Sequence, residues 1–225
     1  MRRWIAPVLA LFFVLLSAAS VSAAVAAVAL KAADDELDRW RSPKAEVIAE
    51  DQARVERYLG LAERLNPWNP RVGVLRGRMG LLALHRLASG PRERGRLANQ
   101  ARRAFLSAIR REPSAPFNWS DYALATWYAG EHGAVLDFAL ERALLLGPNE
   151  EAVRETAVFL GLARWRDMDL PRRVRVLDMA GGLSKSALRR VKLGLEGRIS
   201  LRDACASGSG GLMEVKICRP YAAKK

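Results

Sequence analysis

The chain has 225 residues, half of them hydrophobic, and carries 37 Lys and Arg against 24 Asp and Glu, a formal charge of +13. That length suits one ordinary domain with an accessory segment, and the apolar half excludes a disordered solvating chain. With two cysteines and two histidines, a disulfide-dense miniprotein and a zinc-cluster protein are excluded as well. Seven of the basic residues are Lys and 30 are Arg, spread along the chain and densest in PRERGRLANQARR, residues 91–103. A nucleic-acid binder would show a basic face interleaved with aromatics or a known module, and neither is present. The charge reads as a solvated surface, or as a face that attracts anions.

Residues Trp4 to Leu30 form a run of 27 without a charged side chain. About 20 helical residues cross a hydrocarbon core, so the run is long enough for a transmembrane anchor over residues 1–30. Arg2 and Arg3 precede it and KAADDELD follows, which favours a cytoplasmic N-terminus, an inner-membrane single pass and a periplasmic body. A cleaved signal is the competing reading, with small-residue sites such as Ala24-Val25-Ala26. The apolar run continues past those sites through VAAVAL, which a cleaved signal does not require. Both readings put the body outside the cytoplasm.

Residues 31–44 are polar and read as a short linker or a first helical turn, with Ser42-Pro43 as a helix start. From there to Leu65 apolar residues recur at helical spacing, and NPWNP at 66–70 breaks the helix because residues before proline avoid the helical region. Further helices are expected over 71–88, 92–111, 119–128, 134–146, 150–166, 171–179 and 184–194, separated by Gly and Pro signals. The fold class is all-α: an anchor, a helical domain over 45–180, and a C-terminal helix and tail over 181–225. In the tail, LMEVKIC alternates apolar and polar after RISLRDAC and a glycine turn, as a β-hairpin would. Outside the cytoplasm Cys205 and Cys218 read as a disulfide tying that hairpin, a closure adding on the order of 3 kcal/mol. Two free thiols are the alternative.

The helices carry a repeat. Ala101, Phe105, Ala108 and Pro113 are spaced by four, three and five, the second-helix pattern of a tetratricopeptide (TPR) repeat, which the segment resembles. Val55, Leu59, Ala62 and Pro67 occupy the same grid upstream, and Leu136, Leu140, Ala143 and Pro148 downstream. Pro113 and Pro148 are 35 residues apart, near the period of about 34. Pro67 and Pro113 are 46 apart, which places an insertion around Arg86 to Arg96. The resemblance implies antiparallel helix pairs, with small Ala residues allowing close approach, Phe105 filling the gap toward the next repeat, and proline turning the chain.

A narrower resemblance lies in LNPWNP (65–70), PFNW (116–119) and LERALLLGPNE (140–150), the last followed by a helix reaching Trp165. Over residues 45–168 the chain is similar to the VpsP-like polysaccharide biosynthesis family, TPR-like accessories of exopolysaccharide production. The resemblance implies a non-catalytic periplasmic scaffold whose partners are envelope polysaccharide-synthesis proteins.

Chemistry-bearing patterns are sparse. His85 and His132 have no metal-ligand spacing, and SGSGG at 207–211 lacks the Lys and strand–helix context of a phosphate loop. Carboxylate pairs such as Glu150-Glu151 fall at helix edges, where charge is easily solvated. No catalytic, metal or cofactor-binding residue is assigned, and the chain reads as a non-enzyme. Trp119, Tyr122, Trp127 and Tyr128 have two readings: an interhelical core, or a groove that stacks on sugar rings. Besides the scaffold, the sequence supports a second role as a binding module for anionic lipid or acidic glycan, through Arg92, Arg94, Arg96, Arg102 and Arg103. Nucleic acid is not an expected partner.

Overall fold

A computed structural model describes residues 5–42, 44–195, 201–206 and 218. In chain order these form α1 (Ile5–Arg41), α2 (Ala49–Leu65), α3 (Pro70–Arg86), α4 (Pro91–Arg111), α5 (Pro116–Tyr128), α6 (Ala134–Leu146), α7 (Glu151–Ala163), a 3-10 turn (Trp165–Asp167), α8 (Leu170–Gly181), α9 (Lys185–Gly194) and the short α10 (Leu201–Ala206). No strand occurs among the described residues. The chain divides into two compact units, Met1–Pro113 and Ser114–Lys225, so the boundary falls inside the stretch expected to be one domain.

Two expectations are corrected here. The segment 31–44 is no linker through most of its length, because α1 runs unbroken to Arg41. Its reason is a buried stripe: Ala26, Ala29, Leu30, Ala33, Leu37 and Trp40 recur at helical spacing and join Val55, Leu59, Ala62, Val72, Leu75 and Met79 in one core. The charges between them point outward and pair, Arg71 with Asp34 at 2.6 Å and Arg54 with Glu36 at 3.0 Å. The second concerns the C-terminal hairpin, which is not shown. Its first arm is helical at Leu201–Ala206, and the second arm, 212–217, lies outside the described residues. The alternating segment, LMEVKIC, falls in that second arm, and only its Cys218 is described.

In unit 1, α1 packs on α2 and α3 on α4, while α1 and α2 each also touch α3. The α3–α4 pair is closest. A Cβ on Gly73 would lie 2.8 Å from the Ala104 carbonyl oxygen, one on Gly77 would lie 2.6 Å from the Phe105 ring, and one on Gly80 would lie 3.0 Å from the Ala101 Cβ. Ascending along α3 thus descends along α4, an antiparallel pair. Phe105 is fully buried, and its ring seats on Gly77 within its own pair. A hydrogen on Gly77 leaves the room that the ring fills.

Unit 2 repeats the arrangement, with α5 on α6, α7 on α8, and α7 against α5, α6 and α9. Gly130 turns the chain between α5 and α6 at φ 85°, a left-handed conformation open to glycine without strain. Gly161 lets α8 approach α7, since a Cβ there would lie 2.5 Å from Val176.

The three grid prolines share one local geometry. Asn66, Glu112 and Gly147, each preceding proline, take φ/ψ of −145/78, −140/74 and −138/63. Each donates its backbone N–H to a grid alanine carbonyl, Ala62 at 2.8 Å, Ala108 at 2.9 Å and Ala143 at 2.9 Å. Three residues beyond each, Asn69, Ala115 and Glu150 are the extended residues that open the next helix. Proline excludes the helical region for its predecessor, so identical sequence punctuation gives identical turns.

Substitutions at glycine separate packing from propensity. Gly73→Ala forces α4 backbone to shift and should lower stability by about 1–3 kcal/mol. Gly60→Ala, on α2 with nothing within 4 Å of the added methyl, should raise it by about 0.5–1 kcal/mol. Thermal melts of the full chain in detergent or nanodiscs, followed by circular dichroism, check both signs.

Acid should loosen the first helix hairpin. Asp51 is buried and accepts the backbone N–H of Ile48 at 3.1 Å, and Arg39 lies 3.1 Å away. That backbone hydrogen bond, with the Arg39 and Arg54 guanidinium groups, holds its carboxyl below the ordinary range against the opposing effect of burial. A depressed carboxyl contributes stability that is fully present above its unfolded value of about 4 and lost as pH falls through the folded one. Melting temperature should therefore drop below about pH 4, and Asp51→Asn should flatten that part of the profile.

Candidate functional site

The expected repeat-packing residues divide by role. Ala62, Ala101, Phe105, Ala108 and Ala143 are fully buried between helices, whereas Pro67, Pro113 and Pro148 sit just past helix ends and set the turns. Their work is architectural. Trp68, in the NPWNP turn, is 81% exposed.

The four singled-out aromatics fall into two clusters, Trp119 with Tyr122 and Trp127 with Tyr128. Trp127 is buried at the end of α5, where Tyr128 lies 4.8 Å, Phe159 5.4 Å and His132 6.2 Å from its ring, so it belongs to the α5–α7 interior. Trp119 belongs elsewhere. It meets Phe138 edge-on at 5.6 Å and Tyr122 at 6.5 Å, and the Arg142 guanidinium lies 5.8 Å over its ring. Phe138 continues as an exposed apolar row on α6 with Val135 and Leu145. Phe138 and Arg142 were missed from the sequence, although their spacing from Val135 and Leu145 is that of a single helix face. The α5–α6 surface therefore presents aromatic rings and a cation, a combination able to stack on planar or apolar groups.

Arginine provides the second set. On α4, Arg96 is bonded to Gln100 at 3.1 Å and lies 3.8 Å from Glu93, and Arg111 bonds Ser107. Arg92, Arg94 and Arg103 are exposed and have no acidic partner among the described residues. Arg103 borders a cleft of unit 1 with Gln100 and Ser107, facing Gln52 and Glu56 of α2, with Met79 and Arg76 of α3 beneath. Arg76 is occupied by Glu56 and Glu63, at 2.9 and 3.0 Å. Other arginines close the fold: Arg86 donates to the carbonyls of Trp40 and Ser42 at 2.9 and 2.6 Å, and Arg190 pairs with Glu155 at 2.6 Å. Glu151 accepts the backbone N–H of Ser184 at 2.8 Å, which holds its carboxyl below the ordinary range.

A second cleft lies in unit 2 among α6, α7 and α8, with Leu140, Leu160 and Met179 in its walls and Arg164, Arg172 and Arg175 at its margin. It combines apolar helix faces from three elements, and its convergence is set by packing alone.

Cys205 and Cys218 are joined as a disulfide, Cα to Cα 5.5 Å, and both are fully buried. Among the described residues no group of three or more His, Cys, Asp and Glu side chains is placed to hold a metal. His85 is held below its ordinary pKa by burial, reinforced by Arg94 and Arg86. These surfaces offer stacking, cation and apolar contacts on helix faces.

No protein-family model matches the sequence, and no curated protein matches it.

Truncation separates interior from surface aromatics. Trp127→Ala should cost about 3–5 kcal/mol, as for a buried aromatic. Phe138→Ala, at a side chain 55% exposed, should change stability by less than about 1 kcal/mol. Urea unfolding of the two variants, followed by helicity, checks the contrast.

Proposed function

We propose that this chain is a membrane-tethered, extracytoplasmic scaffold of TPR-like helix pairs that serves protein–protein interactions in exopolysaccharide synthesis or export. One observation carries the reading: α1 is a single helix, long and apolar enough to cross a membrane, whose distal stripe from Ala26 to Trp40 forms the core of unit 1. The apolar segment and the first buried stripe of unit 1 are thus one continuous helix. Cleavage at the small-residue sites would cut within that helix beside its first buried turn, which favours retention of the anchor. Arg2 and Arg3 support an N-terminus in the cytoplasm. The buried disulfide fits an oxidising compartment beyond it.

Pairing of α1 with α2, α3 with α4, α5 with α6 and α7 with α8 supports the repeat, as do the three matching pre-proline turns. Partners are membrane-associated polysaccharide-synthesis proteins, an assignment resting on the LNPWNP, PFNW and LERALLLGPNE resemblance. Tethering raises the local concentration of binding surfaces, so individual contacts with such partners can be weak. The chain acts by binding and not by catalysis.

A second role, in binding anionic lipid or acidic glycan, draws support from the exposed and unpaired Arg92, Arg94 and Arg103. Salt discriminates the two, because phosphate or uronate retention falls with ionic strength whereas apolar docking does not.

Deleting the gene in its native host should reduce or shorten the exopolysaccharide, with restoration by the full chain and not by one lacking residues 1–30. Unchanged polymer yield and length in the deletion strain would remove this role.

A further inference from the structure

The cleft of unit 2 has a chemistry of its own. Its floor is apolar, from Leu140 and Leu144 of α6, Ala157 and Leu160 of α7, and Val176 of α8, and its volume is about 110 Å³. That is somewhat below a cavity of about 150 Å³ that accepts benzene, a size that suits one apolar side chain. Met168 and Met179 line it, and unbranched thioethers adapt to the shape of what enters.

Charge at the mouth is one-sided. On the α8 side Arg172 and Arg175 are exposed; Arg175 has no acidic partner among the described residues, and Arg172 reaches Asp169 only at 4.0 Å. Below them Arg164 is tied to Asp137 through one Nη, while its buried Nε has no hydrogen-bond partner. On the α6 side stands Glu141. An occupant is therefore drawn by carboxylate on the α8 side and repelled by it on the α6 side.

The geometry points to a docking pocket for a partner protein's peptide segment, in which one Leu, Phe or Met side chain fills the α6–α7–α8 cleft and an adjacent Asp or Glu meets Arg172 and Arg175. This deepens the scaffold reading and rests on it, naming the chemistry of the partner. The anchor supplies apolar burial in a small desolvated pocket, and the rim charges supply orientation and selectivity, the usual division at a binding hot spot.

The test is selection of random peptides displayed against the full chain in nanodiscs. Enriched peptides should carry an apolar residue with a carboxylate on one side. Arg172→Glu with Arg175→Glu should weaken their binding by about tenfold or more, and selection on that variant should invert the flank to Lys or Arg. Ala157→Met, which fills the floor, should abolish binding; Leu144→Asp at the half-buried edge serves if Ala157→Met lowers helicity. Enriched peptides without the apolar–acidic pairing, no enrichment, or binding unchanged by these variants would overturn the pocket. Saturable phosphatidylglycerol-vesicle binding that depends on Arg172 and Arg175 and displaces no peptide would overturn it too, assigning the rim to lipid. Polymer loss on gene deletion combined with any of these results removes the pocket and leaves the scaffold, whereas unchanged polymer with selective peptide binding does the reverse.

Discussion

Along α1, which is long and apolar enough to cross a membrane, an exposed apolar surface gives way to a buried stripe without a break in the helix. From Leu9 to Val25 its large side chains are exposed, and from Ala26 onward a single stripe is buried against α2 and α3. Backbone hydrogen bonds within the helix are satisfied in either surrounding, so only the side chains need to change. The change is from Phe and Leu on all sides to Ala, Leu and Trp on one side, with Asp34, Glu36 and Arg39 on the rest. Unit 1 is organised around that stripe: Trp40 and Leu37 are among its largest fully buried side chains. Arg71 and Arg86 clasp α3 onto the same helix.

Close packing farther along depends on absent side chains. Gly73, Gly77 and Gly80 sit opposite Ala104, Phe105 and Ala101, and glycine is unfavourable in a helix interior by roughly 0.5–1 kcal/mol relative to alanine. Three such residues on one helix face persist because contact with α4 offsets that cost. The result is a rigid pair from which Arg103 and Gln100 project.

The strong positive charge has a mixed use. Part of it is internal, as Arg54, Arg71, Arg76, Arg164 and Arg190 join helices to one another through carboxylates. Exposed pairs of this kind are individually worth little, about 0–1 kcal/mol, so their value is in orienting helices as much as in stability. Another part, on α4 and at the α8 rim of the cleft, gives each unit its own cationic edge.

Punctuation and periodicity determined a good deal by themselves. Pro67, Pro113 and Pro148 dictated three matching turns, because an X-Pro bond restricts its predecessor wherever it occurs. The apolar run announced α1, and the repeat grid announced which residues of α2, α4 and α6 are buried, except Leu140, which is half-buried at the cleft. What only tertiary structure decided was assignment among neighbours. KAADDELDRW is polar enough to read as a linker, and its buried stripe exists only because α2 and α3 cover it. Phe105 was legible as core, but its seat on Gly77 required the register of α3 against α4. Trp119 and Trp127 lie eight residues apart on one helix, yet the first turns toward Phe138 and Arg142 and the second into the interior with Phe159. The α6–α7–α8 cleft has no sequence signature, since its walls come from three helices whose convergence is fixed by packing, and packing is a property of the whole chain.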